Sequence, residues 1–122
     1  MVVRRRYLKQ IEDLQHEILR MGCRVEEAVK KAIKALEKQD AQLAQEVIEE
    51  DRIFDDMELD IEKKCVRLIV MEQPVARDLR VILTALKVVT DLERIADYAE
   101  GIAKLAIRLQ DEVYIEPLID IP

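Results

Sequence analysis

The chain has 122 residues, half of them hydrophobic and 38% charged, so its length and composition suit one globular domain with an apolar core. Its net charge of −6 at neutral pH argues against nucleic acid as a partner. The sequence contains two Gly, three Pro and no Trp, and residues that favour helices dominate it, so we expect an all-α fold.

The sequence lacks the features of an exported or membrane-spanning protein. Its apolar runs are shorter than the roughly 18 residues that a membrane-spanning helix needs. The N-terminal sequence MVVRRRYLKQ lacks the apolar region of a signal peptide. Cys23 and Cys65 are isolated and do not form a CxxC pair, which is typical of small core or near-core residues in a reducing compartment. We therefore expect a soluble, cytoplasmic protein that is not embedded in a membrane.

The first predicted helix spans about residues 4–38. Its apolar residues recur at alternating spacings of four and three, which is typical of one long amphipathic helix. This stripe consists of Tyr7, Ile11, Leu14, Ile18, Met21, Val25, Ala28, Ala32 and Ala35. The pattern stops just before Asp40, whose side chain is a good N-cap for a second helix.

The second predicted helix covers about residues 41–71, and the third covers about residues 74–110, followed by a tail at 111–122. The second core stripe contains Leu43, Val47, Phe54, Met57, Ile61 and Leu68. The third contains Val81, Ala85, Val88, Leu92, Ile95, Ala99, Ile102, Ala106 and Leu109. Pro74 suits the first turn of the third helix, because its missing N–H is not needed there. We expect one domain, residues 1–122, folded as an antiparallel up-down-up three-helix bundle.

Acidic residues crowd the second and third helices. Residues 46–62 carry nine acidic residues and one Arg, a local charge of −8. Asp51 and Asp55 are four residues apart, as are Glu93 and Asp97, so each pair shares a helix face and its members repel each other. If both faces turn towards one groove, the four carboxylates could bind a hard cation such as Mg²⁺, Mn²⁺, Ca²⁺ or iron. The alternative is a solvated helix face without metal, which is the usual role of a charge run.

The relative heights of these carboxylates depend on where the chain reverses. If the reversal is centred near residue 72 or 73, Asp51 lies beside Arg94. Glu93 is then level with Asp51 to within about one residue. The helical period also places Glu93 and Asp97 on the face of the third helix opposite its core stripe.

Enzymatic interpretations of the acidic residues find little support in the sequence. Di-iron carboxylate bundles use two Glu-x-x-His motifs, whereas the one histidine here, His16, lies on the polar side of the first helix. The run FDDMELD at residues 54–60 is like the aspartate-rich motif of prenyl-transfer enzymes, but the chain is too short to enclose a prenyl chain. A nucleophile and a separate general base are not evident either, so we expect a protein that is not an enzyme.

Three stretches of the chain resemble a known family. Residues 73–80, QPVARDLR, and residues 91–103, DLERIADYAEGIA, resemble the signature helix of the PhoU family of phosphate-uptake regulators. The similarity extends upstream through residues 19–62 and so covers nearly the whole chain. A typical member continues into a second three-helix bundle, whereas this sequence stops at EPLIDIP. We therefore expect either a one-bundle variant or a fragment of a longer chain.

The resemblance implies a bundle whose E(D)xxxD motifs hold metal ions on its surface, in clusters of several ions. By position, the implied metal ligands are Asp51, Asp55, Glu93 and Asp97. The implied metal is iron, manganese or magnesium, with no organic cofactor. The resemblance also implies a protein that acts without catalysis, through contact with the ATPase of a phosphate ABC transporter and with a phosphate-sensing histidine kinase. The alternative function is a structural or adaptor bundle that binds no metal.

The third helix carries the residues that we expect to contact partners. Arg77 and Arg80 follow the QP turn at one tip of the bundle, where they could contact the ATPase or the kinase, unless Arg80 only pairs with Asp78 or Glu72. An apolar patch beyond the predicted core consists of Val75, Leu79, Ile82, Leu83 and Leu86. Two copies paired across this patch would form a homodimer, unless the first helix covers it.

Overall fold

Three helices make up the computed structural model, which describes the backbone of residues 2–119 and the side chains of residues 4–111. Helix α1 is Val2–Lys38, α2 is Ala41–Glu72 and α3 is Ala76–Ile119. Each helix packs against both of the others. The predicted all-α, antiparallel three-helix bundle is therefore confirmed.

The turn between α1 and α2 has the predicted cap. The Asp40 carboxylate accepts a hydrogen bond from the backbone N–H of Leu43 at 3.1 Å, which satisfies one of the free donors at the start of α2. Gln39 ends α1 in the left-handed region, with φ of 54°. The backbone N–H of Asp40 donates to the carbonyl of Ala35 at 2.9 Å, so the reversal needs only two residues outside the helices.

The turn between α2 and α3 is longer than predicted. Gln73 caps α2 in the left-handed region, with φ of 43°, and its N–H donates to the carbonyl of Ile69 at 3.1 Å. Helix α3 begins at Ala76, so Pro74 lies before the helix, and its predicted place in the first turn was wrong. The reversal is thus centred on residue 74, because residues 73–75 form the connection. This displaces the facing residues of α2 and α3 by about three positions from the predicted pairing.

The predicted apolar stripes of α1 and α2 form the core. Phe54 and Leu14 are among the largest fully buried side chains, and Ala44 and Cys65 join the core although they were not in the predicted stripe. Ile11, Ile18, Leu43 and Met57 pack against the core but are partly buried. Burial raises the pKa of the Cys65 thiol to about 11. Cys23 is exposed, so its predicted core or near-core position was wrong.

Helix α3 is rotated relative to the prediction. Its buried residues are Ile82, Ala85, Val89, Ala96, Ala99, Ala103 and Ala106. The predicted core residues Val81, Val88 and Ile95 are instead 37–42% exposed. Helix α3 has apolar residues on more than one face, so the spacing of its apolar residues did not identify the core face. The buried face consists largely of small alanines, which allow the helices to pack closely. Ile82 therefore belongs to the core and not to the predicted partner-binding patch.

The C-terminal part of α3 also differs from the prediction. The helix continues to Ile119, whereas we expected a tail from residue 111. Residues 120–122, the end of that predicted tail, lie outside the described residues. Within the part of the chain that the structure describes, the helices lack an apolar segment long enough to cross a membrane.

Candidate metal centre

Three carboxylates from two helices meet in the groove between α2 and α3. One oxygen atom from each of Asp51, Asp55 and Glu93 lies within 4.8 Å of the other two. Asp51 and Asp55 are one turn apart on α2, and Glu93 comes from α3. Asp51 and Glu93 are partly buried, whereas Asp55 is exposed. We call these three residues the carboxylate cluster.

The rotation of α3 brings Glu93 into this groove. Val89 and Ala96 are buried in the core, so Glu93 lies at the edge of the buried face, and its predicted position opposite the core was wrong. On α2, the buried ring of Phe54 fixes the rotation of the helix, so the two aspartates lie on the face beside the buried one. Residues of α2 and α3 that face each other have numbers that sum to about 148 when the reversal is centred on residue 74, which places Asp55 opposite Glu93.

Burial and negative neighbours make these carboxylates hard to ionise. Burial, a hydrogen bond that it can share with Asp55, and the negative charges of Asp55, Asp97 and Glu58 raise the pKa of Glu93 to about 8. Burial, followed by the charge of Glu100, raises the pKa of Asp51 to about 6. At neutral pH, Glu93 is therefore incompletely ionised, because negative charges lie close to it in the cluster.

Two oxygen atoms of the cluster lack a hydrogen-bond partner. Asp51 Oδ1 and Glu93 Oε2 are both buried and accept no hydrogen bond. Among the side chains of residues 4–111, no Lys or Arg forms an ion pair with a cluster carboxylate, and Arg94, which we expected beside Asp51, is exposed. Buried anionic oxygens without donors are costly, and a cation between them would remove that cost.

Two further carboxylates border the cluster. The predicted ligand Asp97 is exposed and lies outside the close group of three, but its charge contributes to the raised pKa of both Asp51 and Glu93. Glu100 was not predicted, although it lies close enough to Asp51 to share a hydrogen bond and also pairs with Lys104 at 3.1 Å. Its spacing of three residues from Asp97 on the same helix face was the signal that could have identified it.

The donor set suits a hard cation. All its donors are carboxylate oxygens, which Mg²⁺, Mn²⁺ and iron accept, whereas the nitrogen and sulfur donors that zinc prefers in structural sites are absent from this group of three. His16 is exposed on α1, as predicted. The unpartnered buried oxygens and the chemistry of the donors therefore fit the metal that the sequence resemblance implies.

The predicted partner-binding residues occupy two environments. Arg77 and Arg80 are exposed at the start of α3, and Leu83 is 50% exposed. Leu79 is partly buried, and Leu86 is partly buried against the core. Among the described side chains, Arg80 forms no ion pair with Asp78 or Glu72. Glu72 instead pairs with Arg6 at 3.8 Å.

Known proteins are similar in sequence to this chain. A sequence model of the PhoU domain matches residues 18–106. The chain belongs to the PhoU family. It is 44% identical over 113 residues to the phosphate-specific transport system accessory protein PhoU homolog of Aquifex aeolicus, and 47% identical over 112 residues to that of Clostridium acetobutylicum. These alignments cover 93% and 91% of the chain but 51% of each relative, so the chain spans about half the length of these PhoU homologs.

The fold also matches a solved PhoU structure. The crystal structure of PhoU from Pseudomonas aeruginosa superposes with a TM-score of 0.84 at 42% sequence identity. The match covers 87% of this chain and 51% of that one. The PhoU family resemblance predicted from the QPVARDLR and DLERIADYAEGIA motifs is thus confirmed.

Proposed function

We propose that this protein is a non-enzymatic regulator of phosphate transport that binds metal ions at the carboxylate cluster. Membership of the PhoU family supports the regulatory role, because its relatives are named accessory proteins of phosphate-specific transport systems. The observation that carries the metal proposal is the cluster itself, whose oxygens lie within 4.8 Å of one another. Asp51, Asp55 and Glu93 would hold the ion, and it would supply the positive charge that the groove lacks.

The metal would be iron, manganese or magnesium. All-carboxylate sites favour these hard cations, and water would complete the coordination of an ion that has only three protein ligands. Asp97 borders the cluster and would join the donor set if more than one ion binds. The proposal includes no organic cofactor.

The regulatory contact would use α3. This helix carries Glu93 and, nearer its start, the exposed Arg77 and Arg80. An ion bound to carboxylates of both helices would join α2 to α3 and hold that surface in place. The partners would be the ATPase of the transporter and the phosphate-sensing histidine kinase, both reached from the cytoplasm.

Self-association would use the apolar residues Leu79 and Leu83 of α3. Leu83 is 50% exposed and Leu79 is partly buried, so both remain available for a homodimer contact. Ile82 is fully buried and Leu86 packs on the core, so this contact is smaller than the sequence predicted.

Capture from a lysate of the native host, grown in abundant phosphate, tests the proposed function. The wild-type protein with Mn²⁺ should retain the transporter ATPase and the histidine kinase, identified by mass spectrometry. The double variant Asp55→Asn/Glu93→Gln, or wild type in EDTA, should retain far less. The control Glu49→Gln/Asp56→Asn removes the same charge from exposed positions of α2 and should behave as wild type.

Two outcomes would contradict the proposal. Equal capture by wild type and the cluster variant, with and without EDTA, would favour the alternative of an adaptor bundle that needs no metal. Capture of neither protein by any variant would exclude the regulatory contact. The double variant Arg77→Glu/Arg80→Glu separately tests the α3 surface and should weaken capture in a salt-sensitive way without loss of helicity.

A further inference from the structure

The bundle carries its charge unevenly along its length. At the end where α1 begins and α2 turns into α3, residues 4–13 and 67–80 contain seven basic and four acidic side chains, a net charge of +3. We call these two segments the tip. The whole chain carries −6, so the rest of it carries −9. Helix dipoles add positive potential, because the N-termini of α1 and α3 lie at the tip against one C-terminus.

Most of the arginines at the tip are free to bind an anion. Within the tip, Arg6 pairs with Glu72 and Lys9 pairs with Asp13, each at 3.8 Å. The tip arginines that form no ion pair among the described side chains are Arg4, Arg5, Arg67, Arg77 and Arg80. These five guanidinium groups therefore make no direct ion-pair contact with a carboxylate among the described side chains.

The tip also exposes apolar side chains. Val75, at 73%, and Met71, at 70%, are the two most exposed large hydrophobic residues among the described side chains. Val70 is 64% exposed and Leu8 is 50% exposed at the same end of the bundle. Arg4 and Val75 line one shallow cleft together with the acidic residues Glu72 and Asp78, so the start of α1 lies beside the α2–α3 turn. Basic and apolar side chains thus share one surface.

We propose that the tip binds the surface of a bilayer that contains anionic lipids. Arg4, Arg5 and Arg67 would contact lipid phosphates. The exposed side chains of Val70, Met71 and Val75 would enter the region between headgroups and acyl chains. Charge complementarity selects this occupant, because an anionic bilayer presents a negative surface to a tip with a net charge of +3. The binding is peripheral and does not depend on the metal proposed for the carboxylate cluster.

The negative remainder of the chain does not prevent this binding. Asp55 lies 17 residues before Glu72, which is about 25 Å along α2 at 1.5 Å per residue. The Debye length at 0.1 M salt is about 10 Å, so the cluster lies more than two screening lengths from a membrane that contacts the tip. The nearby charge of the tip therefore determines the interaction with the bilayer.

Sedimentation with vesicles tests the proposal. In EDTA and 0.1 M NaCl, wild type should bind vesicles of phosphatidylcholine and phosphatidylglycerol at 7:3, and should bind pure phosphatidylcholine at least tenfold less. Arg4→Glu/Arg5→Glu/Arg67→Glu should reduce binding at least tenfold. The control Arg24→Glu/Lys34→Glu/Arg108→Glu has the same net charge but changes exposed residues outside the tip, and should bind within twofold of wild type. Circular dichroism checks that both variants are helical.

A fluorescent reporter tests which part of the protein touches the lipid. The chain contains no Trp, so Val75→Trp gives a single reporter at the tip, and Tyr98→Trp gives one at a side chain that is 65% exposed on α3. Anionic vesicles should shift the emission of the tip reporter to the blue and leave that of the control unchanged.

Three results would overturn the proposal. Wild type could bind anionic vesicles no better than pure phosphatidylcholine, or the two triple variants could lose vesicle binding equally. The third result is an equal blue shift of the Trp emission from the two reporters. If the tip variant fails to capture protein partners while wild type ignores vesicles, the tip binds an acidic protein surface instead. Because the vesicle assay uses EDTA, its result is independent of whether the cluster binds metal.

Discussion

Replacement of Glu93 by Gln removes the ionisable group that α3 contributes to the carboxylate cluster and retains the size of the side chain. In the metal-free protein, burial and negative neighbours raise the pKa of Glu93 from 4.5 to about 8. The unfolded chain releases this proton near pH 4.5, whereas the folded chain retains it until near pH 8. Stability therefore falls as the pH rises through this interval. We expect Glu93→Gln to stabilise the metal-free protein at pH 7.

The size of this effect follows from the pKa shift. At pH 7 the linkage relation limits the cost of Glu93 to about 3 kcal/mol, at about 1.4 kcal/mol per pKa unit. Solvent reaches this partly buried carboxylate, so we expect about 1–2 kcal/mol, or a rise in Tm of about 4–8 °C for a domain of this size. A metal ion at 100 times its Kd would stabilise wild type by about 2.7 kcal/mol. Metal should therefore reverse the order of stability.

Thermal unfolding, followed by circular dichroism with EDTA or Mn²⁺, measures both effects. With EDTA at pH 7, Glu93→Gln should melt above wild type, and at pH 5 the difference should shrink. With Mn²⁺, wild type should melt above the variant. The control Glu49→Gln, at an exposed position of α2, should follow wild type throughout. A variant that melts below wild type in EDTA would refute the repulsion argument, and an equal Mn²⁺ gain in both proteins would refute the site.

Three further predictions concern the rest of the bundle. Asp40→Ala removes the cap of α2 and should lower the free energy of unfolding by about 1 kcal/mol in urea titration; an unchanged value would mean that the cap contributes nothing. A thiol reagent at pH 8 should modify the exposed Cys23 quickly and the buried Cys65 only after denaturation, and two equally fast thiols would contradict the core assignment. Light scattering should give a mass near twice 14.2 kDa, shifted towards monomer by Leu83→Glu, and a wild-type monomer at high concentration would exclude the dimer.

The sequence predicted α1 and α2 well because each has one dominant apolar face. On α3, Val81, Val88 and Ile95 continue an apolar spacing beside the true core face, so periodicity alone indicated the wrong rotation. The turn before α3 was also misjudged. Gln73 adopts a left-handed conformation that usually favours Gly or Asn, so the residue type at this position did not indicate that three residues separate the helices.

The sequence predicted part of the candidate site, because the site mainly requires that the carboxylates of α2 and α3 lie at the same position along the bundle axis. A three-residue error in pairing is about 4.5 Å along a helix, less than one turn, so Asp51, Asp55 and Glu93 still meet. Lateral position is more sensitive, because it depends on the rotation of α3. That rotation leaves Asp97 exposed at the edge of the cluster and brings Glu100 next to Asp51.

The central claim is that a metal ion binds between α2 and α3. Anomalous X-ray diffraction from crystals grown with Mn²⁺, measured near the manganese absorption edge, locates such an ion directly. We expect a peak at bonding distance, about 2.0–2.3 Å, from carboxylate oxygens of Asp51, Asp55 and Glu93. If crystals grown with Mn²⁺ show no anomalous peak in this groove, whether or not manganese binds elsewhere in the crystal, the claim is contradicted.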